Sequence, residues 1–255
     1  LFGRAPPVIG YLGAESPERF ASRLRAFRDG LATAGFTEGR NVAIEYRWAE
    51  GNNERLPALA AELVHHPVSV LVAPGSVASA LAAKAATQTI PIVFESGADP
   101  VATGLVSSMN RPGGNITGIT SLNSQIAPKR LELLHEIAPG ATIFALLVNP
   151  TNPTTAATST KDLTEAARAL GLQLHVLNAS TENDFDPVFT KLAQLQAAGL
   201  VIANDAFFNA RSKQLAELAL RHSVAAAHQS RDFAEAGGLL SYGGSFRQTH
   251  SQAGA

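Results

Sequence analysis

Two stretches decide the fold: "VIGYLGAESPERFASRLRAFRDGLATAGF" (residues 8–36) and "IFALLVNPTNPTTAATSTKDLTEAARALGL" (143–172). Each begins with a short apolar run, passes through a loop bearing a proline, continues as an amphipathic helical pattern and stops at a glycine followed by an apolar residue. Gly10 maps onto Leu146 and Phe36 onto Leu172, both 136 positions on. In the first copy Ser16-Pro17 reads as an N-cap with proline at the first helical position. Phe20, Leu24, Phe27 and Leu31 then recur at helical spacing before Gly35.

The repeat extends outward from both copies. "NVAIEYRW" (41–48), "VSVLVA" (68–73) and "IPIVFE" (90–95) read as further strands separated by helical patterns. They are answered in order by "LQLHVLNAS" (172–180), "GLVIANDAFF" (199–208) and "SVAAAHQS" (223–230). Strands alternating with helices predict mainly parallel sheets, and the recurrence predicts an α/β fold of two Rossmann-like lobes. Between them, Arg111-Pro112-Gly113-Gly114 is a turn, "NITGIT" (115–120) a connecting strand, and Pro128 with Leu131, Leu134 and Ile137 a helix closed by Pro139-Gly140. The lobe boundary falls near Ser121 to Asn123, giving lobes 1–121 and 122–255.

Composition narrows the function. With 20 basic and 21 acidic residues and no run of Lys or Arg, the chain lacks the electrostatic footprint of nucleic-acid binding. It has no cysteine, so disulfides, thiolate metal sites and thiol catalysis are excluded. No apolar stretch reaches the ~20 residues of a membrane span, so no direct membrane insertion is expected. The start, "LFGRAPPVIGYLG", has no apolar signal core; the protein is cytoplasmic or its signal peptide has been removed. The glycine-rich nucleotide motifs, G-x-S-x-G and H-E-x-x-H are all missing, and the seven histidines are scattered. No enzyme activity, cofactor or metal site is expected.

Ligands of open parallel sheets sit beyond the carboxyl ends of the strands, and two facing lobes bring both sets of strand-end loops to one cleft. In "SVLVAPGSVASALAAKAA" (69–86) a strand meets a helix across Pro74-Gly75-Ser76. Such a junction leaves amide N–H groups free at the helix start, a natural seat for an anion, or Ser76 merely caps its own helix.

Several segments together carry a family resemblance: "EGRNVAIEYRWAEGNNERLPALAAELV" (38–64), "IPIVFESGADPVATGLVSSMNRPGGNITGIT" (90–120), "APKRLELLHEIAPGAT" (127–142), "LVNPTNP" (147–153) and "GGLLSYG" (237–243). Across essentially its whole length the chain resembles the substrate-binding proteins of ABC transporters, specifically those that include tryptophan- and tyrosine-type amino-acid binders. The resemblance implies a type I periplasmic-binding fold, a periplasmic or extracytoplasmic location and delivery of a small solute to permease subunits; the expected solute is an amino acid, an aromatic one among the candidates, or a related carboxylate, captured by lobe closure in a monomer. The alternative is a ligand-sensing domain of a regulator or receptor with the same fold. Family members usually continue past the "SYG" strand through a helix and back into the first lobe. This chain ends at "SFRQTHSQAGA", within that helix, so the return crossing is expected to be missing.

On this reading an amino acid's carboxylate meets Ser76 and the backbone around Gly75 and Val77. Its ammonium meets Asp205, whose other reading is an N-cap. Trp48, Phe207 and Tyr242 are candidates for the side-chain wall, against the alternative of core packing. Ser96, Asn149, Asn152 and Gln229 supply further polar contacts, although Asn149-Pro150 is also turn chemistry.

Overall fold

The computed structural model of the chain describes residues 6–255, which divide into two compact units. Residues 6–121 and Ser245–Ala255 form the first, Leu122–Gly244 the second. Residues 1–5, part of the segment read for a signal core, lie outside the described residues.

The first unit runs β1 (Val8–Gly13), α1 (Ala21–Thr33), β2 (Ala43–Trp48), α2 (Leu56–His65), β3 (Val70–Pro74), α3 (Val77–Ala86), β4 (Ile92–Ser96) and β5 (Ile116–Thr120). The second runs α4 (Ala127–Ile137), β6 (Ile143–Val148), α5 (Pro153–Ala169), β7 (Gln173–Asn178), α6 (Phe185–Leu195), β8 (Gly199–Ile202), α7 (Ala206–Ala210), α8 (Ser212–Arg221), β9 (Ala225–His228), α9 (Arg231–Glu235) and β10 (Leu240–Ser241). A last helix, α10 (Phe246–Gly254), belongs to the first unit. Each unit holds a five-stranded parallel sheet, in the order β2-β1-β3-β4-β5 and β7-β6-β8-β9-β10. The two orders correspond strand for strand, and the "NITGIT" segment is the edge strand of the first sheet.

Alternation along the strands divides each core into two layers. Ile9, Tyr11 and Val72 face α1 with Leu24, Phe27 and Leu31, while Leu12, Leu71 and Phe94 face α2 and α3 with Leu59, Leu63 and Ala80. In the second unit Phe144, Leu146 and Val201 face α4 and α5, and Leu147, Leu200 and Ile202 face α6 and α8. Both faces are covered, which is why "IFALLV" reads as an unbroken apolar run.

The helix ends show the repeat at the level of single hydrogen bonds. Gly35 (φ 87°) and Gly171 (φ 69°) take the left-handed conformation that glycine adopts without a Cβ clash. The Phe36 N–H donates to Leu31 O and the Leu172 N–H to Ala167 O, each at 2.8 Å. The helix starts differ. α5 begins at Pro153 as the repeat predicts, but Ser16 and Pro17 open a turn, with Phe20 N–H donating to Ser16 O, and α1 starts only at Ala21.

The expectation that residues 122–255 all belong to the second lobe, with no return crossing, is corrected at the C-terminal end. Residues 245–255 pack on the first unit because two glycines let α10 approach α1 closely. A Cβ on Gly30 would lie 2.0 Å from Ser251 O, and one on Gly254 would lie 2.1 Å from Phe27 O. The Arg23 guanidinium lies 4.6 Å from the Phe20 ring centroid and 4.5 Å from that of Phe246, a cation–π seat between α10 and the start of α1.

Gly30→Ala tests this docking by the sign of its effect. On a solvated helix face the change stabilises by about 1 kcal/mol. Here the methyl meets a backbone carbonyl, and urea unfolding is expected to show destabilisation of roughly 1–3 kcal/mol. A gain in stability would mean that α10 does not hold this position.

Candidate functional site

The carboxyl ends of the strands carry the polar residues of each unit. In the first, the chain leaves β3 through Gly75, at φ 81°. The Gly75 N–H donates to both Glu95 O (2.8 Å) and Glu95 Oε2 (2.9 Å). That amide is therefore committed within the protein, and of the three predicted groups Ser76 and Val77 remain at the start of α3. Ser76 is the N-cap, its Oγ accepting from the Ser79 N–H at a long 3.4 Å. Ser96 closes a local turn, its Oγ accepting from the Ala98 N–H at 3.3 Å. Trp48 stacks on Tyr46 with centroids 6.1 Å apart and packs on Tyr11 at 5.2 Å. Its indole occupies the space a Cβ on Gly13 would fill, so much of the ring is given to packing.

Glu95 is not among the residues singled out from the sequence, yet it centres a buried cluster. It is 1% exposed, and burial pushes its carboxyl up to about 7 against the pull of Thr249, Arg23 and the Gly75 N–H. His250 Nδ1 lies 3.4 Å from Glu95 Oε2 and 2.9 Å from Phe246 O. Burial, helped by Arg23, holds the imidazole down at about 3, so at neutral pH it is an uncharged donor and not half of an ion pair. Nothing near Glu95 in sequence signals this; two of its partners, Thr249 and His250, come from the returning helix.

In the second unit the structure brings Asn149, Asn152 and Asp205 together. Asp205 Oδ1 accepts from the Phe207 N–H and from Asn149 Nδ2, both at 3.0 Å, and Oδ2 accepts from Asn152 Nδ2 at 2.8 Å. Asn149 is held in turn by Thr151, whose N–H and hydroxyl donate to its Oδ1. Burial raises the Asp205 carboxyl above its ordinary value, while these bonds and Arg211 act in the opposite direction. The carboxylate thus caps α7 and ties the loop after β8 to the loop after β6, with three of its roughly four acceptor positions filled.

A second network holds Gln229, beyond the end of β9. Its Nε2 donates to Asn204 Oδ1 and Asn209 Oδ1, Asn209 Nδ2 donates to Asn204 Oδ1 at 3.2 Å, and Asn204 Nδ2 reaches Ser124 Oγ at 3.4 Å. Both amide hydrogens of Gln229 are used, and its Oε1 is buried with no hydrogen-bond partner. Sequence reading missed Asn204, Asn209 and Ser124. Their signal was the amide density of "ANDAFFNA" directly after an apolar strand.

Phe207 is turned toward the core. It is 4% exposed, packs on Phe185 and Phe208, and carries the Arg211 guanidinium 3.9 Å from its ring centroid. The sequence placed it correctly after the strand but could not show that the short α7 turns it inward. Tyr242 is 45% exposed; its N–H donates to His228 O and its carbonyl accepts from Arg130. Among the described residues no group of three or more His, Asp or Glu could hold a metal ion.

Two parallel α/β units with one strand order, each with polar groups gathered at its strand ends, define the architecture of type I periplasmic binding proteins. Residues 15–255 match the family model for ABC transporter substrate binding proteins, and the chain belongs to that family. Its members bind solutes and act outside the cytoplasm; they are not enzymes. A tyrosine-binding protein of Clostridioides difficile (strain R20291) is 32% identical over 125 residues, which are 49% of this chain and 35% of that protein. The match spans about a third of that relative's length. A conserved domain protein of Vibrio cholerae superposes with a TM-score of 0.85 at 23% identity, over 97% of this chain and 82% of that one. An ABC domain from Streptococcus pneumonia in complex with L-Trp gives 0.83 at 19% identity, over 98% and 82%. No described helix is long and apolar enough to cross a membrane.

The buried pair makes stability depend on pH. Glu95 prefers its proton in the fold, so its contribution is present below about 4.5 and lost as pH rises through about 7. His250 prefers to be neutral, so its contribution is present above about 6.5 and lost as pH falls toward about 3. Glu95→Gln keeps an acceptor for the Gly75 N–H without the charge. Relative to wild type it is expected to gain stability between pH 5 and 8, by an amount on the order of 3 kcal/mol at most. A difference that does not vary with pH would show that Glu95 is ionised throughout.

Proposed function

We propose that this chain is the extracytoplasmic solute-binding component of an ABC importer, and that its solute is an amino acid, preferentially an aromatic one. It works as a periplasmic or surface-held monomer that captures the solute by closure and delivers it to permease subunits. Family membership supports the transport role; the tyrosine- and tryptophan-binding relatives support the class of solute.

The observation that carries the amino-acid reading is the free acceptor on Gln229. A zwitterion taken out of water needs partners for both charges. Gln229 Oε1 is a buried acceptor with no hydrogen-bond partner, on a side chain whose two amide hydrogens are both used, which suits an ammonium donor. Asp205, first expected in that role, is largely filled by Asn149, Asn152 and the Phe207 N–H, so it acts by holding the two loops and supplying negative potential. The carboxylate falls to Ser76 Oγ and the first amides of α3 at Val77, where unpaired N–H groups and the helix dipole favour an anion. Trp48 in the first unit and Tyr242 in the second are the aromatic candidates for contact with the solute's ring. Bond-making chemistry is not required.

Titration calorimetry with L-tryptophan, L-tyrosine and indole-3-propionate, which lacks the ammonium, separates these roles. Gln229→Leu is expected to weaken the amino acids about tenfold, the loss of one hydrogen bond to a charged group, and to leave the plain carboxylate unchanged. Asp205→Ala, which releases two amides and a cap, should weaken all three and lower thermal stability. Equal losses for all ligands with Gln229→Leu would remove Gln229 from the ammonium site, and binding of sugars in place of amino acids would overturn the solute assignment.

A further inference from the structure

The largest fully buried side chain in the described protein is a cation without an acid. Arg130, on α4, is 0% exposed, and burial alone lowers its guanidinium to about 10, so it stays charged at neutral pH. Its Nη1–H donates to Tyr242 O at 2.8 Å and its Nη2–H to Asn123 O at 3.0 Å. These carbonyls lie on the two segments by which the chain enters and leaves the second unit, since the unit boundaries fall at 121/122 and 244/245. A second bond joins the same segments: the Gly244 N–H donates to Asn123 Oδ1 at 2.6 Å.

Two carbonyls could be satisfied far more cheaply than by burying a full charge. What a guanidinium adds is a planar fork whose donors keep a fixed separation, which a lysine does not reproduce. Arg130 therefore fixes the spacing of residues 123 and 242, and the Asn123 side chain fixes 123 against 244. The outgoing segment is also pressed on β9, where the Tyr242 N–H donates to His228 O and a Cβ on Gly243 would lie 2.5 Å from Gln229 O. Next to this clamp Leu122 sits at φ 50°, a left-handed conformation that a leucine holds only where its surroundings impose it.

We propose that Arg130 and Asn123 lock both passages of the chain into one pivot on the second unit, which confines bending to 121–122 and 244–245 and narrows the range of arrangements open to the solute-free protein. The effect on affinity rests on the reading of solute capture by closure. A narrower unliganded ensemble has less conformational freedom to lose on binding. Arg130 is a positioning residue, and it also holds the segment that packs on Gln229.

The test uses the whole chain. Because the sequence has no cysteine, Arg25→Cys on α1 and Lys191→Cys on α6, both exposed, give one spin-label site in each unit. Double electron–electron resonance without ligand is expected to show a narrow distance distribution in the parent, a broad one with Arg130→Met, and an intermediate one with Arg130→Lys. L-tryptophan should bind the Arg130→Met form about tenfold more weakly, because its broader unliganded ensemble has more freedom to lose on binding. The distribution at saturating L-tryptophan should match the parent's. If Arg130→Met does not fold, Asn123→Ala, which cuts only the bond to Gly244, is expected to broaden the ligand-free distribution on its own. A folded variant whose ligand-free width equals the parent's overturns the proposal. Failure of L-tryptophan to bind the parent would count against the solute reading instead, while the ligand-free widths still decide the pivot.

Discussion

A charge or amide removed from water must find partners inside the protein, and that constraint organises everything at the strand ends of this molecule. Asp205 is the clearest case. Its carboxylate is buried, and it remains tolerable because Asn149, Asn152 and the Phe207 N–H converge on it. In doing so it joins the loops after β6 and β8 and starts α7, which in turn aims Phe207 into the core. Gln229, Asn204 and Asn209 obey the same rule one strand further on. In that network the rule leaves one acceptor over, Gln229 Oε1, and the proposed ammonium seat rests on it.

The first unit solves the same problem with titratable groups. Glu95 and His250 are both buried and both displaced toward their neutral forms, so the contact that seats α10 against the end of β4 is not a full ion pair. Gly75 is held by that same carboxylate, and the start of α3 follows from it. The position of Ser76 thus depends on the returning helix: a feature that looks local in sequence is fixed by residues some 170 positions away.

The fold was legible because it is written twice. Strand order, helix stops and the apolar runs all follow from periodicity and from Gly35 and Gly171, and local chemistry of that kind survives in a single sequence. What could not be read was tertiary. Nothing at Ser16-Pro17 shows that a turn precedes the helix, and nothing in "SFRQTHSQAGA" shows that it packs on Gly30 of α1. At the site, Asn149, Asn152 and Asp205 were each identifiable as polar groups at strand ends, but that they bind one another was not. Phe207 and Phe208 are adjacent aromatics on a five-residue helix, and only coordinates show both to be buried.

The central claim is that the chain binds an amino acid reversibly and does nothing else to it. The most direct measurement is calorimetric titration of L-tyrosine and L-tryptophan into protein that has been unfolded, dialysed and refolded to strip any carried solute. The account predicts saturable one-to-one binding with a negative heat-capacity change, as expected when apolar surface is buried, and recovery of the amino acid unaltered. Absence of heat for both, in a chain whose refolding is confirmed by its unfolding transition, would contradict it.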